Sequence, residues 1–144
     1  MSAIFDTTVL YGRGIVKGFA EGEALVTRET ISGWGGIDAT TGTITERRHA
    51  LCGQSFKDKI LVFPGAKGSS GFSHYFHLAR VHGVAPKALV FTRMTTKIAL
   101  GAVVMRVPAI TDLDGDPLAL ISTGDWVLVD ADRGIVEIRK KEVE

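Results

Sequence analysis

Cysteine is nearly missing. The 144-residue sequence holds one, Cys52, which excludes an internal disulfide and any cysteine cluster for a metal within this chain. An excess of charge of one sign is missing too: Lys and Arg number 17 against 16 Asp and Glu, for a formal net charge of +1. With no basic stripe and no acidic tail, nucleic acid is not an expected partner. No apolar run reaches the roughly 18 residues that suggest a membrane span, so no membrane partner is expected either. The opening MSAIFDTTVLYGRG lacks a basic stretch followed by an apolar one. No secretory signal is expected, and a cytoplasmic location is the default. Internal repeats and low-complexity tracts are also lacking.

What is present is an ordinary globular composition, 45% apolar and 23% charged, at a length that suits one domain with a real core. The first third is rich in glycine and threonine, and Gly14–Gly18 and Glu23–Thr27 read as strands paired around AEGE. The segment Ile31–Phe56 has little periodicity and reads as a long loop. Loops of that length in compact domains are functional or disordered, and Trp34 and Ile37 argue for order. KILVFPG (Lys59–Gly65) is a nearly continuous apolar strand of the kind covered on both faces. A helix is predicted from about Ser73 to His82, with Tyr75, Leu78, Ala79 and His82 on one face and Gly83 as its stop. KALVFTR (Lys87–Arg93) reads as a strand, Ile98–Met105 as a short helix or buried turn, and Val107–Thr111 as a strand. The tail gives two strands, Trp126–Asp130 and Ile135–Arg139, around a turn at Ala131–Gly134. The sum is a mixed α/β domain built in layers.

The turn GAKGSSG, between the apolar strand and the first helix, is the stretch best suited to chemistry. A helix N-terminus presents unpaired N–H groups and partial positive charge. Gly65, Gly68 and Gly71 admit a ligand close to the backbone, Ser69 and Ser70 offer hydroxyls, and Lys67 offers charge to a carboxylate or phosphate. The structural alternative is that Ser70 or Ser73 only caps the helix. The order of residues is not that of a P-loop. His49, after Arg47 and Arg48, binds an anion or sits in solvent. His74, in the first helical turn, has the chemistry of an acid, a base or a phosphate carrier. His77 and His82 read as helix-surface or packing residues. DLDGD (Asp112–Asp116) lacks the terminal glutamate of a calcium loop and reads as a surface turn. No pattern of His and carboxylates has metal-ligand spacing.

GRGIVKGFAEGEALVTRETIS and GWGGIDATTGTITERRHALCGQSFKDKILVFPGAKGSS, continued by GVAPKALVF, GAVVMRVPAI and TGDWVLVDADRGIVEI, resemble the small subunit of aconitase X enzymes. The resemblance runs from Gly12 to Ile138. It implies a single swivelling β/β/α domain over 12–144, like the fourth, mobile domain of aconitase with a β-barrel-like core, and makes residues 1–11 an N-terminal extension. It implies a hydro-lyase whose active site lies between this chain and a large subunit. Known members dehydrate small hydroxy acids: cis-3-hydroxy-L-proline in bacteria, mevalonate 5-phosphate in archaea. An iron or iron–sulfur centre is held by the large subunit, and none is expected on this chain.

By the same resemblance Ser69 is the base that takes or relays the substrate proton. Ser70, Gly68 and Lys67 hold the substrate, and Gly35, Gly36, Ile37 and Asp38 border the cleft. Arg47 and His49 are further candidates. The chain departs from the family pattern at Ala39 and Thr40, at the run Gly71-Phe72-Ser73-His74-Tyr75, and at Met94–Lys97. These departures leave the choice of substrate open. A second resemblance joins GFSHYFHLARVHGVAPKAL to phosphoenolpyruvate-utilising mobile domains, in which His74 is a phosphohistidine carrier. A non-catalytic binding module is the third option.

Overall fold

In the apolar strand, side chains alternate between two separate cores, which is why nearly every residue of the run is apolar. Leu61 and Phe63 enter one core with Leu25, Leu89 and Phe91. Ile60 and Val62 enter the other with Ala24, Val90, Val127 and Val136. The structure is a computed structural model that describes the backbone of residues 5–68 and 71–141.

The strands are β1 (Phe5–Tyr11), β2 (Arg13–Val16), β3 (Phe19–Val26), β4 (Ile37–Asp38), β5 (Thr43–Ile44), β6 (Ile60–Phe63), β7 (Ala88–Phe91), β8 (Ala109–Thr111), β9 (Trp126–Asp130) and β10 (Ile135–Lys141). The helices are α1 (Phe72–Val81), α2 (Thr96–Met105) and α3 (Pro117–Leu120). Eight strands form one sheet in the order β1-β10-β9-β3-β6-β7-β8-β2. It curls into a half-barrel. β3 is its joint, antiparallel to β9 on one side and parallel to β6 on the other. One core fills the concave side. The other lies under α1, α2 and the 31–56 loop, which contributes Ile31, Ile37, Ile44, Leu51 and Phe56. This is the expected swivelling β/β/α architecture.

The N-terminal strands differ from the sequence reading. β2 pairs with β8, not with β3, and its register shifts at a bulge between Gly14 and Val16. The reason lies at Gly18, whose φ of 134° is open to glycine alone. It passes the chain beneath the turn after β9: the Gly18 amide donates to Asp132 Oδ1 and its carbonyl accepts from Ala131. β3 thereby enters the middle of the sheet. Residues 5–11, expected as an extension, are a full strand paired with β10 from Phe5↔Lys141 to Tyr11↔Ile135. The helix face also differs, since Phe72, Phe76 and Ala79 are the buried side of α1. The α1 span, the β9–β10 hairpin and the order of the 31–56 loop agree with expectation. Among the described residues no helix is long and apolar enough to cross a membrane.

Where α1 crosses α2, Gly101 faces the Phe72 ring, and a Cβ there would lie 2.6 Å from Phe72 Cε1. Helix propensity alone favours alanine over glycine by about 1 kcal/mol. Overpacking a core costs about 1–3 kcal/mol, and Phe72 is fully buried. Gly101→Ala is therefore expected to lower the thermal midpoint. A raised midpoint in a melting experiment would show that propensity outweighs packing here.

Candidate functional site

The four parallel strands β3, β6, β7 and β8 end on the same side of the sheet, where ligands bind in open α/β folds. There the chain after β6 is stitched to the 31–56 loop. The Ile31 amide donates to the Gly65 carbonyl at 3.1 Å, and the Lys67 amide donates to the Ile31 carbonyl at 2.9 Å. The Gly36 carbonyl accepts from Thr45 at 2.9 Å and from Glu46 at 3.4 Å. These bonds bring the Lys67 turn, the WGGID loop and the ERRH run together from three parts of the sequence. Between the Lys67 turn and the ERRH run lies a cavity of about 250 Å³ lined by Glu29, Thr30, Glu46, Arg48, His49 and Lys67, with no WGGID residue on its wall.

Lys67 stands 3.6 Å from Glu46 Oε1. Gly68 is exposed and has nothing within 4 Å on the side where a Cβ would project. Ser69 and Ser70 lie outside the described residues. Gly71, at φ 67°, is the N-cap of α1 and gives no side-chain cap, while Ser73 is already inside the helix. The capping alternative for Ser73 is therefore not realised.

His49 neither sits in solvent nor presents itself to an anion as a free ring. Its side chain is 2% exposed. Nδ1 accepts from the Leu51 amide at 3.0 Å, and Nε2 meets the Thr30 carbonyl at 3.2 Å. An amide can only donate, so Nδ1 carries no proton and the ring is fixed as the Nε2–H tautomer. His49 thus ties the segment after β3 to the turn that carries Arg47 and Arg48. Glu29 adds a second tie by accepting from the Ala50 amide at 3.1 Å.

Of the WGGID residues, Gly35 is exposed at φ 70°, Gly36 is buried against Ser32 with no room for a Cβ, and Ile37 is buried in the helix-side core. Asp38 Oδ1 accepts from the Thr40 hydroxyl at 2.6 Å and the Thr40 amide at 2.9 Å. These bonds hold its carboxyl below the usual carboxylate range. A carboxyl depressed in the folded state adds stability above the ordinary range near pH 4, and loses it as pH falls through the lowered value. In a carbon-13 NMR titration, Asp38 is expected to ionise at lower pH than an unpaired aspartate, with Thr40→Val moving it upward. An unchanged midpoint in Thr40→Val would refute the assigned cause.

Arg47 is exposed on the turn beside the cavity. His74 is exposed in the first turn of α1, edge-on to Tyr75 at 5.1 Å, and lines neither cavity described here. Sequence reading missed Glu29, Thr30, Glu46 and Arg48. The last two flank residues it did name, so the charged run ERRH inside a glycine-rich loop was the usable signal.

A second cavity, of about 500 Å³, opens at the ends of β7 and β8 beside Asp112, Asp114 and Asp116. It is larger, but its carboxylates are engaged. Asp112 pairs with Arg13 at 2.8 Å, Asp114 accepts from the Tyr11 amide, and Asp116 caps α3. That is the surface turn expected of DLDGD. Among the described residues no group of three or more His, Cys, Asp or Glu is placed to hold a metal ion, and Cys52 is exposed and alone. These residues do not fit an iron–sulfur cluster, which needs several thiolates.

The sequence model of the aconitase X swivel domain matches residues 9–138, a span that includes the segment likened above to phosphohistidine domains. Relatives named phosphomevalonate dehydratase small subunit include one from Archaeoglobus fulgidus and one from Methanosarcina mazei. The one from Archaeoglobus fulgidus is 45% identical over 126 residues, 88% of this chain and 95% of that protein. The one from Methanosarcina mazei is 38% identical over 130 residues, 90% of each. The crystal structure of Thermococcus kodakaraensis aconitase X in its holo-form superposes with a TM-score of 0.85 at 40% identity, covering 91% of this chain and 98% of that one.

Proposed function

The chain belongs to the aconitase X swivel-domain family, a family of dehydratase subunits, and from that premise we propose that it supplies one wall of a cleft in which a phosphorylated hydroxy acid of the mevalonate 5-phosphate type loses water. The observation that carries the reading is the convergence of the Lys67 turn, the ERRH run and the segment after β3 (Glu29 and Thr30) on one cavity at the end of β6. The relatives' names support the phosphorylated substrate over cis-3-hydroxy-L-proline. So do the two cations on the cavity wall, Lys67 and Arg48, since phosphate is a ligand both side chains suit. A phosphate oxygen would replace Glu46 beside Lys67.

Ser69 is the base in this proposal. Elimination takes a proton from one carbon and hydroxyl from its neighbour. The C–H electrons become the double bond, and the two fragments leave as the elements of water. A serine is a weak base until its own proton is drawn away. The positive end of α1, which carries no acidic residue in its first turn, and Lys67 favour the alkoxide electrostatically. Ser70 and the amides of Gly68 and Gly71 bind the substrate carboxylate. The other wall, with its metal centre, belongs to a large subunit.

The test is reconstitution. This chain is co-purified with its large subunit and assayed for loss of water from mevalonate 5-phosphate and from cis-3-hydroxy-L-proline. Turnover of the phosphorylated acid alone is expected. Turnover of the imino acid alone would overturn the substrate assignment, and turnover of neither would overturn the reading.

A further inference from the structure

We propose that Trp34 is the anchor by which this chain docks on its large subunit, entering an apolar hole there that is rimmed by carboxylates. The inference rests on the dehydratase-subunit reading. Trp34 is 75% exposed, the most open of the large apolar side chains described. It is not on a loose loop. The Gly33 carbonyl accepts from the amides of Gly36 at 3.2 Å and Ile37 at 3.4 Å, and Gly36 is tied in turn to Thr45 and Glu46. Ser32, Gly33, Gly36 and Ile37 are buried beneath it, leaving Trp34 and Gly35 outside. The turn is tight enough that a side chain at Gly36 would strike the Ser32 carbonyl. The backbone that presents the indole is therefore already ordered, so little conformational entropy remains to be lost on binding.

The fold makes little use of an indole in that position, which directs its role outward. Its surroundings state the partner's chemistry. The amide of Glu46 bonds the base of the Trp34 turn, and Arg47 and Arg48 follow directly, both exposed. A tryptophan whose turn is bonded at its base to the residue before two exposed arginines has the composition of an interface hot spot, and its complement is an apolar pocket with acidic edges. The large subunit is the occupant because the chain leading into this turn is bonded, at Ile31, to Lys67 on the cavity wall. A partner seated on Trp34 comes to rest beside that cavity. The competing exposed apolar side chains, Val81, Leu100 and Val103 on the helices and Tyr11 and Phe19 on the strands, are all less open than Trp34.

The experiment titrates this chain with purified large subunit and then measures turnover at saturation. Trp34→Ala is expected to bind about 30-fold or more weakly, Trp34→Phe to recover part of the loss, and Val103→Ser to bind as the parent does. At saturating large subunit, Trp34→Ala turns over within about twofold of the parent, since an anchor adds binding and not chemistry. Arg47→Glu weakens binding and flattens its dependence on salt. Trp34→Ala binding within about threefold of the parent would overturn the proposal, as would intact binding with reduced turnover at saturation. Failure of the unaltered chain to bind the large subunit is a separate result, and it overturns the dehydratase-subunit reading along with the anchor.

Discussion

Replacing Ser69 with alanine is expected to lower turnover of the reconstituted two-subunit enzyme by about a hundredfold to ten-thousandfold, the range for loss of a positioned acid–base group. The substitution removes one oxygen and leaves the rest of the side chain in place. The helix that follows does not depend on that oxygen for its cap, because Gly71 occupies the N-cap position in a left-handed conformation. Thermal stability and affinity for the large subunit should therefore stay near the parent values, leaving the fall in kcat as the isolated effect. Ser70→Ala, at a residue assigned to carboxylate binding, should raise KM more than it lowers kcat. Full turnover in Ser69→Ala would remove the base assignment and leave the family membership untouched.

Phe76→Ala carries the largest expected loss of stability. The ring is fully buried, with its centroid 4.4 Å from Phe72 and 5.2 Å from Phe56. Truncating a buried phenylalanine costs about 3–5 kcal/mol through lost transfer energy and the cavity left behind. A domain of this size has about 5–15 kcal/mol in all. The damage also reaches the site. Phe56 closes the 31–56 loop and Phe72 begins α1, so Phe76 is the plug that presses the WGGID loop and the helix onto one core. Urea denaturation should show a lower midpoint with an unchanged slope. A loss below about 1 kcal/mol would mean that the neighbouring rings collapse into the gap.

How much was legible follows from how local each determinant is. β6 is readable because both of its faces are buried, which leaves an unbroken apolar run. The β9–β10 hairpin is readable because its turn and its alternation lie within one short stretch. The pairings of β2 with β8 and of β3 with β9 are not readable, since those partners lie about a hundred positions away. The buried face of α1 was misassigned because Tyr75 and His82 share a helical stripe with Leu78, while Phe72 and Phe76 define a competing one. At the site, Lys67 and the arginines stood out as charges in a glycine-rich context. The inward turn of His49 did not, for it depends on the Thr30 carbonyl, which no spacing rule connects to it.

The joint strand of the sheet also sets an order of events at the ribosome. Glu23 in β3 is paired with Trp126, and Thr7 in β1 with Arg139. Both early strands thus emerge with a bare edge and stay so until translation has nearly finished. Pairings that span so much sequence form slowly, and bare strand edges invite aggregation in the meantime. A nascent chain stalled short of β9 would display the apolar face of β3 to solvent. The window in which a chaperone has something to hold closes only when the last hairpin slides into place.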